Sequence, residues 1–132
     1  MDSTDVISMT GLNAAQTQLQ VSASNVANMD DSAPLPDSGV SGPKPYVPTR
    51  VETVSLGAGG VQAQLSAASP SSVASYDPQS PYADSHGMVA TPNVDPVNET
   101  VSRMQTVQQY RASVAMLEAN NQMHKTALKM LG

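Results

Sequence analysis

The chain has 132 residues and a net charge of −5, with no Cys, Phe or Trp and only four Tyr. Absence of Cys excludes disulfides and thiolate metal sites. Nucleic acid is excluded as a partner as well, because the six cations (Lys44, Arg50, Arg103, Arg111, Lys125, Lys129) are scattered and phosphate binding needs clustered Lys and Arg. Charged residues make up 13% of the chain, about half of the roughly 25% usual in soluble domains. Ser, Thr, Asn and Gln take their place, which either suits packing against other chains without desolvating ions or makes a low-complexity surface that stays solvated.

All ten prolines fall between Pro34 and Pro96, so both ends are free of helix breakers. Residues 1–29 are predicted to form a first axial helix. Ser3 or Thr4 can cap it, and Asp5 stands near its positive end. Met9, Leu12, Ala15, Leu19, Ala23 and Val26 step by three or four along it. Asn28, Asp30 and Asp31 then compete with the helical backbone, and Pro34 and Pro36 end it. The N-terminus lacks the basic region and apolar core of a cleaved signal. No apolar run approaches the roughly 18 residues that cross a membrane, so no direct membrane span is expected.

Residues 30–94 form a Pro/Gly/Ser-rich middle. Residues 30–48 read as an extended, poorly ordered linker. The β-branched run 49–56, the turn Gly57-Ala58-Gly59-Gly60 and the alternating Val61, Ala63 and Leu65 predict a small β-hairpin at about 49–66. An isolated hairpin is marginal in water and needs something to lie against. Residues 67–94 read as irregular, apart from a short extended piece at Met88-Val89-Ala90.

Residues 95–132 are predicted to form the second axial helix, with Asp95 as cap and Pro96 in the first helical position. Val107, Tyr110, Val114, Leu117, Asn121, His124, Leu128 and Leu131 follow a 3-4-3-4-3-4-3 spacing. Steps averaging near 3.5 place a narrow apolar seam along each helix, as coiled-coil packing requires. The expected fold is therefore mainly α: two long terminal helices pairing as an antiparallel coiled coil, with a small hairpin between them. The expected assembly seam is Leu12, Leu19 and Val26 against Val107, Tyr110, Val114, Leu117, Asn121, Leu128 and Leu131. The second helix is the longer, and Met116, Met123 and Met130 repeat every seven residues beside its seam. It offers more apolar surface than one partner helix covers. Neighbouring subunits would cover the excess, or else the hairpin and loops would fold down over it.

Residue chemistry points away from catalysis. His86 and His124 have no second ligand at helical spacing, so no metal is expected. Asp77 and Asp84 lack the Gly-centred loop of a calcium site, and Gly57–Gly60 lacks the Lys and Ser/Thr of a phosphate loop. No serine lies in a nucleophile elbow. A hydrolase built on Asp77, Asp84 and His86 is the weak enzymatic competitor. No cofactor is expected. Asn98-Glu99-Thr100 fits the short glycosylation pattern.

Met9-Thr10-Gly11-Leu12-Asn13-Ala14-Ala15, then Leu19 and Ala23-Ser24-Asn25-Val26-Ala27-Asn28, resemble the N-terminal signature of bacterial flagellar rod and hook proteins. Tyr76-Asp77-Pro78, Pro81, Ala83-Asp84, Gly87, Val89 and Pro92-Asn93-Val94 resemble the middle segment of the proximal-rod branch. Tyr110-Arg111-Ala112, Met123, Leu128 and Gly132 resemble the family's C-terminal helix. Asn25, Ala27, Asn28, Pro92 and Asn93 are the motif residues so carried over. The chain departs from the pattern at Ser24, at Val26, and in Met29–Pro34, where the family continues into a Thr-x-Gly-Tyr turn.

The resemblance implies a non-catalytic subunit exported unfolded through the flagellar export apparatus, without a cleaved signal. It implies assembly with copies of itself and other axial proteins into the basal-body rod, which crosses the periplasm and transmits torque. A divergent rod paralogue, or a soluble helical adaptor linked to export, are the competing readings. An adaptor would show high helicity independent of concentration.

Overall fold

The computed structural model describes residues 3–131. The elements in chain order are α1 (Ser3–Ala27), β1 (Thr49–Ser55), β2 (Val61–Ala67), β3 (Ser72–Tyr76), β4 (Met88–Pro92) and α2 (Pro96–Leu131). The strands form two separate two-stranded sheets, β1-β2 and β3-β4. Helices of 25 and 36 residues thus share the chain with four strands, and the class is mixed rather than mainly α. The difference comes from residues 67–94. Their strands carry the β-favouring Val73, Tyr76, Val89 and Thr91, but each is only five residues long and lies among Pro, Ser, Asp and Gly, so in the sequence only the piece Met88-Val89-Ala90 stands out.

The chain divides into two compact units. The first combines residues up to Gln20, Val51–Gln64 and the chain from Thr100 onward. Here the tip of the first hairpin closes through Leu56 N–H donating to Gly60 O at 3.0 Å and Gly59 N–H donating to Leu56 O at 3.0 Å. The Thr10 hydroxyl accepts from Val61 N–H at 3.2 Å and donates to Ile7 O at 2.9 Å. Gly60 has a φ of 90°, and a Cβ there would overlap the Thr10 side chain. Glycine is therefore required both for the turn and for the approach of the hairpin to α1.

The second unit combines Val21–Arg50 and Leu65–Glu99. Strands β3 and β4 pair antiparallel from Ser72↔Pro92 to Tyr76↔Met88. Ala33 bridges to Ala90 through hydrogen bonds of 3.0 and 2.8 Å, and Ala33, Val89 and Ala90 are its most buried apolar residues. The expected loose linker at 30–48 is therefore anchored, at Ala33 and again where Ala68 N–H donates to Pro48 O at 2.7 Å. Asp95 caps α2, its carboxylate accepting from Val97 N–H at 2.9 Å, Asn98 N–H at 3.2 Å and Asn98 Nδ2 at 2.9 Å.

Candidate assembly surface

In the first unit, contacts across the two helices occur at three levels. Asn120 Nδ2 donates to Asp5 Oδ1 at 2.7 Å, Gly11 faces Ser113, and Gln18 Nε2 donates to Ser102 Oγ at 3.2 Å. Numbers rise along α1 as they fall along α2, so the helices run antiparallel. A Cβ on Gly11 would lie 3.0 Å from Ser113 Oγ, which shows how near the backbones come.

The buried residues on this line are small or polar: Ser8 and Ala15 on α1, Thr106 and Asn120 on α2. Ser8, Gly11, Ala15, Gln18, Ser22 and Asn25 step by 3, 4, 3, 4 and 3, and Thr106, Ser113 and Asn120 repeat every seven residues. Thr106 is only 1% exposed and turns its hydroxyl onto Ser102 O at 2.8 Å. Ser8 Oγ and Ser22 Oγ are buried without a hydrogen-bond partner among the described residues. Small side chains allow close approach but bury little apolar area, so this contact contributes less than a leucine seam would.

The apolar seam read from the sequence lies one position further along each helix. Leu12, Leu19, Val26, Val107, Val114 and Leu117 are half-buried, whereas Tyr110 and Asn121 are exposed. Leu128 is 71% and Leu131 86% exposed, and every described residue of α2 after Asn120 is exposed. The structure does not bring Leu128 or Leu131 against α1. Ser8, Gly11, Thr106, Ser113 and Asn120 escape a search for apolar periodicity. Their signal is the seven-residue recurrence of small and polar side chains beside the apolar one.

In the second unit Asn25, 3% exposed, uses all four of its hydrogen-bonding positions. Its Nδ2 donates to Thr49 O at 2.9 Å and Glu99 Oε1 at 3.0 Å. Its Oδ1 accepts from Thr49 N–H at 3.0 Å and the Tyr46 hydroxyl at 3.1 Å. The end of α1, the start of β1 and the first turn of α2 are joined through this one amide. Asn28 Nδ2 caps the end of α1 by donating to Ser24 O at 2.8 Å. Ala27 is exposed, Pro92 is buried at the end of β4, and Asn93 Nδ2 donates to Pro70 O at 3.0 Å.

Asp84 organises the loop between β3 and β4, accepting from His86 N–H at 2.8 Å and Met88 N–H at 2.9 Å. The Met88 amide, then that of His86, holds its carboxyl below the usual aspartate range. His86 Nδ1 is 4.0 Å from the Asp84 carboxylate and lies open to solvent. Asp77, the third residue of the hydrolase competitor, accepts on Oδ1 from Gln79 N–H at 3.2 Å, so both carboxylates are engaged in turn geometry. Among the described residues no group of three or more His, Cys, Asp or Glu is placed to hold a metal. No described helix is long and apolar enough to cross a membrane.

The two terminal helices thus run antiparallel in the first unit and leave apolar side chains of α2 exposed. Two family models match the same regions: "Flagella basal body rod protein" over residues 7–30 and "Flagellar basal body rod FlgEFG protein C-terminal" over residues 85–130. The flagellar basal-body rod protein FlgC of Bacillus subtilis strain 168 is 29% identical over 145 aligned positions, covering 94% of this chain and 93% of the relative. The FlgC proteins of Escherichia coli O6:H1 and Salmonella typhimurium LT2 are each 34% identical over 113 positions, covering 84% of this chain and 83% of each relative. The chain belongs to the flagellar basal-body rod protein family, and the relatives it matches are FlgC proteins.

Proposed function

We propose that the chain is a structural subunit of the flagellar basal-body rod, working by assembly rather than by catalysis. The observation that carries this reading is the 34% identity to FlgC over 84% of the chain and 83% of the relative.

In this reading the half-buried seam of Leu12, Leu19, Val26, Val107, Val114 and Leu117 is completed by helices of neighbouring copies and other rod proteins, as a multi-chain coiled coil. Exposed Tyr110, Asn121, Leu128 and Leu131 extend the same surface. The rod so formed crosses the periplasm and transmits torque, and the chain reaches it through the flagellar export apparatus. No cofactor takes part.

A strain lacking the gene tests this. Non-motile cells whose basal bodies stop at the membrane ring are expected, and intact rods with normal swimming would overturn the assignment. Leu117→Asp, which sets a carboxylate in the seam, is expected to abolish swimming while the purified chain keeps its helicity, because an uncompensated buried polar group costs about 2 kcal/mol or more in the assembly.

A further inference from the structure

The stretch Asn121–Leu131 of α2 is exposed throughout. It carries Met123, Leu128, Met130 and Leu131, all more than 60% exposed. Its ionisable side chains are His124, Lys125 and Lys129, with no carboxylate among them. Lys125 and Lys129 are four residues apart and so share one side of the helix, next to the apolar groove lined by Met123, Ala127 and Met130.

The second unit has the opposite character, with seven carboxylates against two cations. Its surface holds a groove of about 470 Å³ lined by Asp30, Asp31, Tyr46, Tyr82, Lys44 and prolines. Asp30 and Asp31 are exposed. The chemistry of this groove suits a lysine-bearing helix. Carboxylates receive the ammonium groups, while tyrosine rings and prolines take the lysine stems and an adjoining apolar side chain.

We propose that the exposed end of α2 in one copy docks into the Asp30–Asp31–Tyr46–Tyr82 groove of a second copy, with Lys125 and Lys129 against the two aspartates. The inference rests on the rod-subunit reading and names one of its contacts. Two different patches meet in this contact, so it is heterologous and can propagate from copy to copy as a helical array requires.

The test uses the full chain and two charge reversals, Lys125→Asp/Lys129→Asp and Asp30→Lys/Asp31→Lys, followed by analytical ultracentrifugation. All four positions are exposed, and circular dichroism should match wild type. Each variant alone is expected to self-associate roughly tenfold more weakly, as losing two ion pairs implies. An equimolar mixture of the two is expected to recover association, since each reversed patch then meets an opposite partner. Wild-type association should also weaken by about tenfold between about 0.05 M and 0.5 M salt.

Indifference to either reversal, or failure of the mixture to recover, overturns the contact. A reversal that stops swimming without changing self-association overturns it too, and assigns the α2 end to a different rod protein. These outcomes are separable from the rod reading, which stands or falls on the deletion strain whatever the charge reversals do.

Discussion

The two units of this chain finish their internal chemistry to different degrees. In the second, Asn25 satisfies four hydrogen bonds, Asp84 closes its own loop, and Val89 and Ala90 are fully buried. In the first, the helices meet along small and polar residues, and thirteen of the eighteen large exposed apolar side chains described belong to it. A unit that leaves so much apolar surface open has stability still to gain from other chains. The second unit has less to gain, because only five of those eighteen side chains belong to it and most of its buried polar groups are paired, Ser22 being the exception. Assembly should therefore stabilise the first unit far more than the second.

The largest expected effect breaks the second unit. Asn25→Leu keeps the side-chain size but strands Thr49, Glu99 and Tyr46, and is expected to cost about 3 kcal/mol, measured by urea unfolding of the purified chain. A cost below about 1 kcal/mol would show that Asn25 does not hold that unit together.

Next in size is a wedge in the first unit. Gly11→Val places branched methyls against Ser113 and is expected to cost about 2 kcal/mol by overpacking. Gly11→Ala should be close to neutral, since a gain of about 1 kcal/mol in helix propensity offsets a contact that the Ser113 hydroxyl can rotate away from. Thermal denaturation of the pair separates the close-approach account from simple helix propensity, which alone would make Ala clearly stabilising.

Smaller, and opposite in sign, are Ser8→Ala and Ser22→Ala. Each removes a buried unpartnered hydroxyl and is expected to stabilise the isolated chain by about 1 kcal/mol. Loss of stability in both would mean that the hydroxyls find partners in solution.

The smallest effect is confined to one loop. Asp84 has a folded pKa below its ordinary value of 3.8. Its contribution is therefore fully present above that value and is lost as pH falls through the folded pKa. Amide hydrogen exchange at His86 and Met88 should quicken below about pH 3.8 in wild type, beyond the intrinsic pH dependence, and Asp84→Asn should remove that pH step.

Legibility in the sequence follows the range of the interactions. Both helices lie in the breaker-free ends, α2 starts on the Asp95-Pro96 cap, and the first hairpin lies where apolar alternation and a glycine-rich turn announce it. These are local signals. The second hairpin was legible only in part, at Met88-Val89-Ala90 of β4, because Ser72, Ala74 and Ser75 dilute the signal of Val73 and Tyr76 in β3 and the Asp84 loop that aligns the two strands acts through backbone amides. The identity of the helix contact line was not legible either. Apolar periodicity marks Leu12, Leu19, Val107 and Val114, whereas the deepest positions are Ser8, Ala15, Thr106 and Asn120. A chain built to be covered by neighbours can place its large apolar residues outside its own contact. Hydropathy then marks the surface that other chains would share, and burial marks the surface the chain uses alone.

By itself the sequence determined where the chain is helical, where it turns, and that it carries no thiol chemistry. Breakers, caps, turn residues and composition act over a few residues and need no fold to take effect. Only the tertiary structure decided that small and polar residues face each other across the helices, that one asparagine joins three elements, and that the end of α2 stays uncovered. Those outcomes depend on the relative rotation of the helices and on residues some seventy to over one hundred positions apart, Asn25 with Glu99 and Asp5 with Asn120. Side-chain periodicity leaves such pairings open, because two neighbouring stripes of one helix satisfy the same seven-residue repeat.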